Sequence, residues 1–251
     1  MRNRHLWLLG IASLLLWSCR GSDSSESLRI QHPDDPAKQV EYFVEQPPGS
    51  GPWLIAGRGY LAVAVSQPGY GGSSGPADYC GPFTQHAVAA VIARLKSEEK
   101  VAKGKLVIEG ISRGAVTAGL IAARDPSVSG LVLISGVYDF APYVQEPNQS
   151  SDKQAIVKTL REESGGTPAA LESRSVLRMA GRIKASTLIL NGAKDDRTSP
   201  DQAPRLADTI VRSGGKARAI IYPDFGHQIP VDVRNKEIDP LIDSVLGQRP
   251  Q

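Results

Sequence analysis

The chain carries Gly110-Ile-Ser112-Arg-Gly114 directly after an apolar run at 106–111 and directly before an Ala/Thr/Leu-rich stretch of helical character. An apolar run, a tight turn and a helix in immediate succession commit this segment to a strand–turn–helix unit with Ser112 at its apex. Such a turn crowds its neighbours and strains the serine backbone, and both effects favour flanking residues without a Cβ. A serine hydroxyl is a poor nucleophile alone, so the rest of the chain is read for a base and an acid.

Around this unit, strand-like and helix-like segments alternate. Residues 60–65 form a β-rich apolar run that ends in the loop Gln67-Pro-Gly-Tyr-Gly-Gly-Ser-Ser-Gly75. Val88, Val91, Ile92 and Leu95 share one face of a helix expected over 84–100. Strands are expected at 106–111, 131–134, 187–190 and 217–222, and helices at 113–124, 200–213 and 235–246. This spacing predicts a mostly parallel sheet covered by helices on both faces. Residues 28–46 supply one or two early strands, with Pro33-Asp-Asp-Pro36 interrupting the register. The pattern changes over 141–182, where a polar stretch precedes helix-like runs at 153–163 and 168–181. This segment reads as a small helical, lid-like insert over the sheet's C-terminal edge, or as a pair of ordinary packing helices.

At 251 residues, 41% hydrophobic and 22% charged, the chain suits one globular domain with a sizeable core. The N-terminus is set apart from it. Basic Met1-Arg-Asn-Arg-His5 precedes the apolar run 6–17, whose twelve residues would cover only about 18 Å as a helix, short of a bilayer core of roughly 30 Å. Residues 1–18 therefore read as a signal peptide. Leu16-Trp17-Ser18-Cys19 resembles a bacterial lipobox with Cys19 as the lipidated residue, although Trp17 is bulky for its position; an ordinary signal peptide with an incidental cysteine is the other reading. Residues 19–27 then form a polar tether, and 28–251 the domain. These features place the protein outside the cytoplasm, held on the periplasmic side of a bacterial membrane by its lipid, or otherwise periplasmic or secreted.

If Cys19 carries lipid, Cys80 is the one remaining thiol; a Cys19–Cys80 bridge is the rival. No Cys/His cluster has metal-ligand spacing, so no metal is expected. Arg2 and Arg4 supply two of the 29 basic residues, which leaves +1 against 26 acidic ones beyond them. That charge balance gives no electrostatic case for nucleic acid.

Reactive residues follow three of the expected strands: Ser112, then Asn191-Gly-Ala-Lys-Asp195-Asp196, then Pro223-Asp-Phe-Gly-His227. Sites in open parallel sheets form beyond the strands' C-terminal ends, so all three fall at one edge. His227 is the candidate base for Ser112, taking its proton and returning it to a leaving group. His5 lies in the signal, His32 in the N-terminal stretch, and His86 at a helix start, where solvated decoration is the simpler reading. Asp195, three residues beyond Gly192, is favoured over Asp196 to hold the imidazole in one tautomer. The Arg113 N–H, at a helix start, is one candidate oxyanion donor. A second is expected near 46–50, from Gly49 or Ser50, since Pro47 and Pro48 have no N–H. The loop Gly69–Gly75 fails the dinucleotide template because Ser74 stands where glycine is required, and no phosphate loop occurs, so no cofactor is expected.

These elements resemble the α/β-hydrolase superfamily, particularly its prolyl-oligopeptidase-like and dienelactone-hydrolase-like branches. The residues that carry the likeness are Gly57-Arg-Gly-Tyr60, Gln67-Pro-Gly-Tyr-Gly-Gly-Ser73, Gly110-Ile-Ser-Arg-Gly114, Gly192-Ala-Lys-Asp195 and Phe225-Gly-His227, covering the chain from about residue 40 onwards. The resemblance implies a serine hydrolase that cleaves esters or short peptides through an acyl-Ser112 intermediate, with Asp195 and His227 in the matching roles. Many members have His-Gly-Gly near the oxyanion loop, where this chain has Gln46-Pro47-Pro48. That departure motivates an alternative: a non-catalytic binding protein that retains the hydrolase fold.

Overall fold

The computed structural model describes residues 26–45, 60–147 and 149–247. Cys19, the signal-like segment and Gly49 with Ser50 lie outside them. Among the described residues no helix is long and apolar enough to cross a membrane.

Strands β1 (Glu26–His32) and β2 (Asp35–Glu45) form an antiparallel hairpin, and β3 (Ala62–Val65) pairs antiparallel with β2. The Pro-Asp-Asp-Pro break falls at the hairpin turn, and the register shifts there, between Gln31 and His32. Strands β4 (Val107–Ile111), β5 (Gly130–Ile134), β6 (Ser186–Gly192) and β7 (Ala217–Tyr222) lie side by side in a parallel sheet in that order. Helices α1 (Pro82–Ser97), α2 (Arg113–Ala122), α6 (Gln202–Arg212) and α7 (Val231–Leu246) surround the strands, and α3 (Phe140–Tyr143), α4 (Ser151–Ser164) and α5 (Pro168–Arg174) come between β5 and β6. This is the α/β-hydrolase arrangement, a parallel sheet with helices around it.

Alternation along the strands separates two cores. Leu131, Leu133 and Ile189 face α2 and α6, while Val132, Ile134, Leu188 and Leu190 face Ile238 and Ile242 of α7. Both faces are buried, which is why these strands read as unbroken apolar runs. Burying a side chain such as Leu188 or Leu190 in full contributes about 1.5–3 kcal/mol. A third cluster packs Val40, Tyr42 and Val44 of β2 on Ala87, Val91 and Leu95 of α1.

The glycine loop after β3 has a structural explanation. Gly72 N–H donates to Glu41 Oε2 at 2.7 Å, and a Cβ on Gly72 would lie 2.4 Å from Glu41 Oε1. Burial raises the Glu41 pKa, but the Gly72 N–H, the Ser66 and Ser27 hydroxyls and Arg29 outweigh it and hold the carboxyl below its ordinary range. The anion in this loop is therefore the protein's own. Ser74 N–H then donates to Gln39 C=O at 2.9 Å, docking the loop on β2.

Two helices differ from expectation. The single helix expected over 168–181 is broken at Ser175, whose backbone is extended. Its hydroxyl accepts the Phe140 N–H and donates to Leu171 C=O, and a 3₁₀ turn (Val176–Arg182) follows. Val176 packs against Gly119 of α2, where an added Cβ would approach within 2.8 Å. The last helix starts at Val231 instead of 235, because Pro230 sets its entry.

Candidate active site

Ser112 sits between β4 and α2 at φ 53°, ψ −116°. Its N–H donates to Ile134 C=O on the neighbouring strand at 2.8 Å, so sheet pairing holds the strained turn. A Cβ on Gly110 would lie 2.2 Å from the Gly114 carbonyl oxygen, which only glycine permits. The crowding is one-sided: a Cβ on Gly114 would meet nothing within 4 Å. The expectation that both glycines are sterically required is corrected accordingly. It is the backbone of Gly114 that approaches Gly110.

The loops after β6 and β7 deliver the other two side chains. Gly192 lets them abut, since a Cβ there would lie 2.2 Å from the carbonyl oxygens of Phe225 and Gly226. Lys194 N–H bridges to Phe225 C=O at 3.0 Å, and the Ser135 hydroxyl donates to His227 C=O at 2.9 Å. In this setting His227 Nε2 lies 3.1 Å from Ser112 Oγ, and His227 Nδ1 lies 3.0 and 3.2 Å from the two Asp195 oxygens. The carboxylate requires a proton on Nδ1, which leaves Nε2 as the acceptor for the serine. The His227 side chain is 8% exposed and that of Asp195 is 0%. Asp196, the weighed alternative, is exposed, and its carbonyl accepts the Ser150 hydroxyl.

Asp195 also accepts the N–H groups of Arg197 and Thr198, the Thr198 hydroxyl at 2.6 Å and the Asn191 amide at 3.2 Å. Burial raises its pKa, yet the bonds from His227 and Thr198 outweigh that and hold it below the ordinary carboxylate value. Thr198 was missed from sequence, although a threonine three residues beyond an aspartate is a spacing at which hydroxyl and carboxylate meet in a turn. The Arg113 N–H opens α2 and has no intrahelical acceptor. His32 stacks on Phe83 at 3.5 Å between ring centroids, and His86 pairs with Asp34 at the surface. Cys80 is a buried thiol that donates to Arg113 C=O at 3.3 Å; burial pushes it up to about 11, which keeps it protonated.

Helix α4 joins both halves of the site. Around its N-terminal end, Ser150 meets the Asp196 carbonyl, Asp152 pairs with Arg197 at 2.8 Å, and Lys153 pairs with Glu146, whose other oxygen accepts the Ser199 hydroxyl. At its C-terminal end, Glu163 pairs with Arg113 at 3.1 Å. No sequence signal marked Glu163, because its partners lie 50 or more residues away.

Residues 81–242, more than half of the chain, match the prolyl oligopeptidase family. The chain belongs to this family. The uncharacterized peptidase YtmA of Bacillus subtilis is 24% identical over 181 residues, covering 70% of this chain and 68% of that protein. A puromycin hydrolase structure superposes at a TM-score of 0.76 with 17% identity, over 90% of this chain but 40% of that one. The esterase Pf2001 of Pyrococcus furiosus superposes at 0.66 with 13% identity, over 89% and 93% of the two chains. At these identities the solved structures establish the fold alone. The chain spans well under half of the puromycin hydrolase. Family membership supports a serine hydrolase of the peptidase type.

Proposed function

We propose that the protein hydrolyses peptide or aminoacyl-amide bonds through an acyl-Ser112 intermediate. The observation that carries this reading is the unbroken hydrogen-bonded series Ser112–His227–Asp195, at 3.1 and 3.0 Å. With a substrate carbonyl above Ser112, His227 Nε2 takes the hydroxyl proton as the Oγ–C bond forms. The carbonyl π electrons move onto oxygen, towards the Arg113 N–H and the positive end of α2. On collapse the C–N bond breaks, and His227 returns the proton to the departing amine. Water repeats the sequence on the acyl group: His227 accepts its proton, the carboxylic acid leaves, and the proton returns to Ser112 Oγ. Asp195 stays ionised throughout and stabilises the imidazolium.

The family and the YtmA likeness support the amide class over esters. A panel of aminoacyl and short peptidyl amides set beside acyl esters tests this. Turnover of amides, lost in Ser112→Ala by about 10⁴-fold or more, is expected. Ester turnover alone would move the substrate assignment to esters. Ligand binding with no turnover of either class would favour the non-catalytic alternative.

A further inference from the structure

We infer that Glu163, on helix α4, is a positioning residue for the donor Arg113; this rests on the reading of Ser112 as nucleophile and of the Arg113 N–H as a donor to the oxyanion. Contacts from four residues outside its own helix fix residue 113. Its carbonyl accepts the Cys80 thiol at 3.3 Å. Its guanidinium lies 4.2 Å from the Tyr79 ring centroid and 5.0 Å from that of Tyr70. Its Nη1 meets both the Tyr70 hydroxyl and Glu163 Oε2, the latter at 3.1 Å. With carbonyl and side chain both held, the N–H at the head of α2 has one direction in which to point.

Glu163 is common to most of this. Besides Arg113, its Oε1 accepts the Tyr70 hydroxyl at 2.8 Å and its Oε2 accepts the Tyr79 N–H at 3.0 Å. Tyr79 and Cys80 are consecutive non-glycine residues in the left-handed region, at φ 46° and 61°. Such conformations persist only where the surroundings over-determine them. One carboxylate therefore holds the strained pair, the thiol that touches the Arg113 carbonyl, and the Arg113 side chain itself. The Arg113 and Glu163 side chains are 14% and 15% exposed, so the pair is screened less than an ion pair on the open surface. Without Glu163, a cation between two tyrosine rings loses its counter-ion and swings towards water, shifting the first residue of α2.

A misplacement of about 1 Å can cost about 100-fold, so Glu163→Ala is expected to lower kcat by about 10- to 100-fold with KM within about threefold. Glu163→Gln keeps an acceptor for the Tyr79 N–H but removes the charge, and is expected to lose about 3- to 10-fold in kcat. Glu162→Gln, on the same helix with a 62% exposed side chain, should leave kcat unchanged. Each kcat is divided by the concentration of sites titrated with a fluorophosphonate. A purely structural role would reduce the number of titrated sites and the Tm while leaving kcat per site intact. If Glu163→Ala fails to fold, Glu163→Gln carries the test. Values of kcat per titrated site within about twofold of the parent would overturn the inference. Failure of the underlying reading would look different: the parent itself would neither take the label nor turn over substrate.

Discussion

At Asp195, hydrogen bonds converge from the His227 imidazole, the Asn191 amide, the Thr198 hydroxyl and the N–H groups of Arg197 and Thr198. They outweigh burial and set the folded pKa below the unfolded one. A depressed carboxylate contributes stability that is fully present above its unfolded value and is lost as pH falls through the folded one. The Tm difference between the parent and Asp195→Asn should therefore be widest near neutrality and shrink below about pH 4. A gap that stays constant from pH 7 to 3 would show that the carboxylate's charge does not stabilise the fold. The same substitution, which favours the wrong imidazole tautomer, should lower kcat by about 10⁴-fold. Asp195, Ser112 and His227 were legible in the sequence because each lies in the turn or loop that follows an expected strand. Glu163 was not: a glutamate in a polar helix looks like any solvated residue until the fold brings Arg113 and Tyr79 beside it.

Helices were legible where their apolar spacing is regular and obscure where a side chain overrides it. Ser175 ends α5 by exchanging hydrogen bonds with Phe140 and Leu171, an arrangement invisible in the apolar pattern of 168–181. The antiparallel β1–β3 unit was partly hidden by the Pro-Asp-Asp-Pro interruption, which turned out to be its hairpin turn. Helix α4 depends on both of its ends. Lys153, with a 7% exposed side chain, pairs with Glu146 and lies 4.3 Å from the Tyr143 ring centroid. Glu146 is 38% exposed and can rehydrate, so Lys153→Ala should cost about 1–3 kcal/mol, less than breaking a wholly buried pair. Urea unfolding measures this. An unchanged midpoint would mean that α4 is not anchored through Lys153.

Across the whole molecule, the parallel order β4-β5-β6-β7 accounts for the site. Each strand runs the same way, so the loops after β4, β6 and β7 open at one edge, and residues 112, 195 and 227 meet there despite their separation in the chain. Alternating strands and helices made this arrangement readable in advance, since a parallel sheet needs helical crossovers. The second donor expected from Gly49 or Ser50 falls outside the described residues, and Pro47 and Pro48 beside it have no N–H. The central claim is that His227 activates Ser112. The most direct measurement is mass spectrometry of the full chain after reaction with a fluorophosphonate. One adduct is expected, on the peptide containing Ser112, absent in Ser112→Ala and formed at least about 100-fold more slowly in His227→Ala. An adduct on another residue, or equal labelling rates with and without the imidazole, would contradict it.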